Sequence, residues 1–206
     1  NVAYDGAGRI AVLEDTNDIG FQAVIVKDGF EADPGLYYRL TLGGITGHKD
    51  FARDTGVVLK PSEATAISDA IVRVFIENGN RTDRNKARLK YVLDAWGFDK
   101  FLSVVEDKHG RKLLRLPSEA LEPRPAFDRM AHVGVHAQKQ AGLNWIGVVL
   151  PVGKITLTQM RGIAKIAREH GDGDIRLTVW QNFLISGVTD QKVAEVETEI
   201  ASLGLT

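Results

Sequence analysis

The chain has 206 residues, a net charge of −1 and 26% charged residues, which suits one or two compact domains and gives no overall pull toward nucleic acid or an anionic membrane. It contains no cysteine, so disulfides, thiolate zinc sites, a cysteine nucleophile and iron–sulfur ligation within these residues are excluded. No apolar run approaches the roughly 20 residues that span a bilayer, and the missing disulfide framework fits a cytosolic protein.

The first stretch reads as β. Residues 2–4, the turn Asp5-Gly6-Ala7-Gly8 and residues 10–13 form a hairpin signal. Residues 19–27 and 36–42 are two further strands, punctuated by Asp28-Gly29 and Asp33-Pro34-Gly35. Gly43-Gly44 opens a loop over 43–60, and Pro61-Ser62-Glu63 starts a helix in which Ile67, Ile71, Val74 and Phe75 recur at helical spacing up to Gly79. A second helix is predicted from Thr82-Asp83 to Trp96, stopped by Gly97. A short helix and a hairpin around His109-Gly110 follow within 98–116. Three prolines between 117 and 125 read as a linker, and a domain boundary is predicted near Phe127. Beyond it come a strand at 144–150, an amphipathic helix Leu157–His170 closed by Gly171, strands at 175–180 and 183–187, and a helix at 189–203. That β-α-β-β-α order predicts an α+β layer of helices on a sheet.

Among residues able to carry chemistry, Arg81, Arg84 and Arg88 stand out. On the predicted helix Arg84 and Arg88 share a face, with Arg81 three residues earlier. Lys86 and Lys90 have Asp83 and Asp94 at helical spacing and read as solvated pairs, whereas Arg84 and Arg88 have no acidic residue three or four positions away. Guanidinium groups without local partners need an anion elsewhere, and the planar fork of arginine matches a carboxylate bidentately. A distant carboxylate of the same chain would serve equally well. Gly43-Gly44 allows close approach of backbone to a flat or anionic ligand, or is a plain loop after a strand. Gln181-Asn182 offers two amides to a cofactor rim, or a hairpin connection. His132 and His136 have helical metal-ligand spacing, but no third acidic ligand lies near and Gly134 weakens a helix there, so no metal site is assigned. Trp96, Trp145 and Trp180 lie in apolar runs and read as core. On these residues alone the chain is an α+β protein with an anion-binding arginine face.

Several segments in order resemble the siroheme-dependent nitrite and sulfite reductases. Residues 81–91, beginning Arg81-Thr82-Asp83-Arg84, are similar to the family's Arg-Thr-Asp-Arg helix; Leu42-Gly43-Gly44 through Ala52-Arg53 resembles its glycine-bearing cofactor loop; and Ile175-Arg176-Leu177-Thr178 through Gln181-Asn182 to Ser186-Gly187-Val188 resembles the Gln-Asn strand of its second half. Asn1 aligns with the last position of an active-site strand that looks like Arg-Lys-Phe-Asn in nitrite enzymes and Arg-Lys-Phe-Lys in sulfite enzymes. Residues 12–23, with Asp15-Thr16-Asn17-Asp18, also look more like the nitrite branch.

The resemblance implies an internal piece of a longer enzyme, in keeping with an Asn1-Val2-Ala3-Tyr4 start that lacks an initiator Met. Residues 1–126 would be the remainder of a first siroheme-binding α/β lobe and 127–206 a second ferredoxin-like half-domain. Implied cofactors are siroheme and a [4Fe–4S] cluster whose cysteines lie beyond Thr206. The implied enzyme is a monomeric, cytoplasmic oxidoreductase of nitrate assimilation that reduces nitrite to ammonia with ferredoxin as donor, the fragment itself being inactive. Carried over residue by residue, Arg88 binds siroheme carboxylates, Gly43 and Gly44 approach the macrocycle, Gln181 contacts the cofactor, Arg81, Arg84 and Asn182 do so with it, and Asn1 faces substrate. The rivals are sulfite reduction on the same scaffold, a non-catalytic module that docks an acidic protein on its arginines, and a fragment without a fixed fold of its own.

Overall fold

The computed structural model describes residues 1–124, 126 and 128–206 and divides into two compact units, Asn1–Ala126 and Phe127–Thr206. Phe127, where the boundary is expected, lies outside the described residues. Each unit encloses its own apolar core.

The first unit is built on strands β1 (Val2–Asp5), β2 (Ile19–Val26), β3 (Gly35–Leu42) and β4 (Arg53–Leu59), hydrogen-bonded in that order. β1 runs parallel to β2, and the other neighbours are antiparallel. Side chains alternate across the sheet. Ile19, Phe21, Leu40, Leu42, Val57 and Leu59 face helices α1 (Ala64–Asn78) and α2 (Leu89–His109). Val26, Tyr37 and Val58 face the other way, against Leu116 and Ala120. Helix α1 buries Ile67, Ile71 and Val74, the stripe its spacing predicts.

Four expectations are corrected here. Residues 10–13 form no strand. The Asp5 carboxylate, 1% exposed, accepts from the amides of Ala7 at 2.7 Å and Val12 at 3.2 Å, which folds this segment back on itself, and β1 finds its partner in β2 instead. The expected loop 43–60 contains β4, whose polar first half hides it from a periodicity reading; pairing with β3 and the grip of Arg39 on Asp54 hold it. The second helix begins at Leu89, not at Thr82-Asp83. The Asn80 side-chain oxygen accepts from the Thr82 and Asp83 amides and the Asp83 carboxylate from the Asn85 amide, so local side-chain bonds compete with the helix over 80–86. Arg84 therefore sits in a short 3-10 turn, Arg88 in extended backbone at the helix cap, and the two do not share a helical face. Finally, no hairpin forms around His109-Gly110: the backbone leaves helical geometry at Gly97 (φ 74°, ψ 165°), where the stop is expected, and a second helical stretch follows within α2. The helix runs to His109, Gly110 (φ 87°) is its left-handed cap rather than a hairpin turn, and the chain returns to bond β4 through the Val58 amide and the Leu114 carbonyl.

In the second unit, β5 (Gly134–Ala137), β6 (Leu143–Val148), β7 (Ile175–Leu177) and β8 (Phe183–Thr189) form an antiparallel sheet in the order β5-β6-β8-β7. Helices α3 (Leu157–His170) and α4 (Val193–Ser202) pack Ile163, Ile166, Val196 and Ile200 on Ile146, Val148, Phe183 and Ile185. Thr156 and Gln159 cap α3 reciprocally, which is why its start is legible. The observed order is β-β-α-β-β-α, with β5 added to the expected pattern.

Candidate functional site

Asp18 begins as an ordinary loop residue between a 3-10 turn (Glu14–Thr16) and β2. The fold brings three segments to it. The Arg88 Nε donates to Asp18 Oδ1 at 2.9 Å and Nη2 to Oδ2 at 3.0 Å, across 70 residues of chain. Nη2 also approaches the Gly44 carbonyl at 3.4 Å. The amides of Gly43 and Gly44 donate to the carbonyls of Asp18 and Asn17 at 2.8 and 3.0 Å. The Asn1 carbonyl accepts from the Ile19 amide, and its amino group lies 2.8 Å from Asp18 Oδ2. Asn1, Gly43, Gly44 and Arg88 thus converge on a residue that sequence reasoning did not single out. Beside it lies a groove of about 320 Å³ whose walls include Asn1, Asp18, Ile71, Phe75 and Arg88.

Burial alone would raise the Asp18 pKa, but the hydrogen bonds from Arg88 and the amino group outweigh it and hold the carboxyl below its ordinary range. Arg88 commits Nε and Nη2 to this pair. Its Nη1 has no partner among the described residues, and its side chain is 34% exposed. Arg81 and Arg84 are exposed on the 80–86 loop and meet no carboxylate among the described residues.

The two glycines serve the chain's own packing. Gly43 takes φ +90°, and a Cβ on Gly44 would lie 2.5 Å from the carbonyl oxygens of both Asp15 and Asn17. Their amides are spent within the chain, so at this loop the groups open to an anion are guanidinium rather than backbone.

Gln181 and Asn182 lie in the second unit and part company. Gln181 is exposed in a left-handed conformation (φ 63°), its side chain against Gly153. Asn182 is buried: Oδ1 accepts from the Leu150 amide at 2.9 Å, and Nδ2 lies 3.2 Å from His132 Nδ1. Its backbone closes the turn onto Thr178. His132 stacks on Trp180 at 4.3 Å and His136 on Trp145 at 5.2 Å, so the histidine pair is packing rather than a metal site. One other group has ligand-like geometry: His170, Glu195 and Glu199 offer one atom each within 4.8 Å of one another. However, Lys192 already pairs with Glu195, and the buried Nδ1 of His170 lacks the partner that orients a ligating imidazole.

Both units match models of one family. Residues 1–113 match the nitrite and sulphite reductase 4Fe-4S domain, and residues 136–203 the nitrite/sulfite reductase ferredoxin-like half domain. The chain belongs to the nitrite/sulfite reductase family. It is similar to the ferredoxin–nitrite reductase of Synechococcus elongatus, 31% identical over 202 residues that cover 97% of this chain and 38% of that protein. It is also similar to sulfite reductase [ferredoxin] 2 of Mycolicibacterium paratuberculosis, 32% identical and covering 97% of this chain and 34% of the relative. The solved structure of the Mycobacterium tuberculosis NirA protein superposes with a TM-score of 0.82 at 29% identity, over 95% of this chain and 34% of that one. The α+β architecture read from the sequence is the family's, and the chain spans little more than a third of the relatives it matches. Among the described residues no helix is long and apolar enough to cross a membrane.

Proposed function

We propose that the chain is the part of a siroheme nitrite reductase comprising the remainder of its first cofactor-binding lobe (residues 1–126) and its second ferredoxin-like half-domain (residues 127–206), in an enzyme that reduces nitrite to ammonia with electrons from ferredoxin. The observation that carries this reading is the convergence of Asn1, the Gly43-Gly44 loop and Arg88 on Asp18, with Arg88 Nη1 unpaired among the described residues and Arg81 and Arg84 exposed on the 80–86 loop. Siroheme bears a rim of carboxylates, and these open donors suit it. The backbone amides of Gly43 and Gly44 and the amide of Asn182 do not add to that set, being used internally. When bound, siroheme supplies the iron on which the nitrite nitrogen is reduced.

The chain's own share is electrostatic. Arg88 donates from Nη1 to a cofactor carboxylate, while Arg81 and Arg84 add positive charge that favours anions at the groove. The Asn1 side-chain amide faces substrate. Gln181, exposed at its turn, is the second unit's candidate contact. A [4Fe–4S] cluster does not fit this chain, which has no cysteine to ligate it; its ligands are assigned to other residues of the full protein. The location proposed with this reading is the cytoplasm.

The similarity to ferredoxin sulfite reductases at 32% identity favours one second reading, sulfite reduction on the same scaffold. Purification of the full-length protein tests both: a Soret band with nitrite turnover supports the first, the band with sulfite turnover alone the second, and no bound siroheme overturns both. Arg88→Ala is expected to lower siroheme content, and unchanged content removes Arg88 from the site.

A further inference from the structure

We infer that Asp18 is the positioning residue of this site: its carboxylate holds one edge of the Arg88 guanidinium so that Nη1 faces an anionic carboxylate ligand. This rests on the siroheme reading and adds to it a residue with no direct contact to the ligand.

An arginine at the end of a loop has many rotamers, and ordering it costs conformational entropy. Arg88 is spared that cost on binding. Nε and Nη2 are already fixed on the two oxygens of Asp18, and the Gly44 carbonyl closes on Nη2. Asp18 is a firm anchor. It is 8% exposed, its carbonyl accepts from Gly43, and the residue after it is registered between β1 and β3. The absence of a Cβ on Gly44 lets the backbone of Asp15 and Asn17, next to Asp18 in the chain, press against it. The same contact divides the charge. Asp18 neutralises the inner edge of the guanidinium and leaves a directed donor on the outer one, so Arg88 would select a ligand by geometry more than by net charge.

The alternative is that Asp18 competes with the ligand for Arg88, in which case removing its charge would strengthen cofactor binding. The two differ in sign. The experiment is siroheme occupancy of the full-length protein, read as the ratio of Soret to protein absorbance after gel filtration, for the unmodified protein, Asp18→Asn, Asp18→Glu, Arg88→Ala and the double variant Asp18→Asn/Arg88→Ala. Retention is expected to weaken about tenfold in Asp18→Asn, the usual cost of removing an outer partner of a ligand group. Partial recovery is expected in Asp18→Glu. The double variant is expected to be no worse than Arg88→Ala, because Asp18 acts only through Arg88. Near-UV circular dichroism follows the folded fraction. Equal or greater occupancy in Asp18→Asn, additive losses in the double variant, or a loss that merely tracks unfolding each overturn the role of Asp18. Absence of siroheme from the unmodified protein overturns the functional reading on which it rests.

Discussion

Arg39 and Arg88 each hold an aspartate of the first unit through Nε and Nη2, and they differ at Nη1. Arg39, 5% exposed, grips Asp54 at 2.6 and 2.7 Å, and its Nη1 donates to the carbonyls of Gly56 and Leu116. Every nitrogen is spent on tying β3 to β4 and to the segment beyond α2. Arg88 makes the same fork to Asp18 but leaves Nη1 without a partner among the described residues. A buried guanidinium with every donor satisfied is a structural device. One half exposed and half satisfied is a structural device on one edge and a binding group on the other. The comparison teaches that the number of donors left over, rather than the presence of an arginine, separates the two roles.

The largest effect that would test this contrast is on stability. Arg39→Ala removes the charged donor from the carbonyls of Gly56 and Leu116 and from the Asp54 carboxylate, and is expected to cost about 3 kcal/mol, measured as a shift in the urea midpoint. Arg88→Ala should cost less, about 1–2 kcal/mol, since its side chain is 34% exposed and gives up one carboxylate pair and one long contact to a carbonyl, where Arg39 is buried and also serves two carbonyls. Equal costs would erase the distinction. Gly44→Ala forces a Cβ against the carbonyls of Asp15 and Asn17. It is expected to cost about 1–3 kcal/mol and also to lower siroheme content, by lifting the anchor of Arg88; a loss of stability with unchanged content would separate the loop from the site.

The pH dependence sharpens the same contrast. For Asp18 and Asp54, burial raises the pKa, but hydrogen bonds more than reverse it, from Arg88 and the amino group for Asp18 and from Arg39 and the Gly56 amide for Asp54, so both lie below the ordinary 3.8. Their stabilising contribution is complete above that value and is lost as pH falls through the lowered one. Glu14 runs the other way. Burial, aided by the nearby Asp5, raises it above 4.5, so its favourable contribution is present below that value and fades as pH rises through the raised one. The stability gap between the unmodified protein and Asp18→Asn should therefore narrow below pH 3.8, as pH-resolved urea unfolding would register. The smallest stability effect belongs to Arg84→Ala. With no partner among the described residues to lose, it should change stability by less than about 0.5 kcal/mol while still lowering siroheme content. A large loss of stability would show that Arg84 has a structural role instead.

The second unit shows how far sequence reading reached and where it stopped. Leu157–His170 was legible to the residue because its apolar stripe, capping box and closing Gly171 are all local. The Gln181-Asn182 pair was legible as polar between apolar strands, but not as two different things. Asn182 is consumed by Leu150 and His132, which lie 32 and 50 residues away, while its neighbour turns outward. In the first unit, Arg84 and Arg88 lack acidic residues at helical spacing, and the carboxylate that meets Arg88 is 70 residues away. The two do not share a helical face, because Asn80 and Asp83 hold the loop by side-chain bonds that a count of helical spacings does not see.

By itself the sequence determined strands β2 and β3, helices α1, α3 and α4, the absence of a cluster ligand, and the family, because periodicity, caps, composition and motif order are all carried by neighbouring residues. Only the tertiary structure decided that β1 lies parallel to β2 and that Asp18 receives Arg88. The physical reason is range. A hydrogen bond between side chains 70 residues apart leaves no periodic trace in the chain. Whether a donor is spent or spare is settled by what the fold places opposite it.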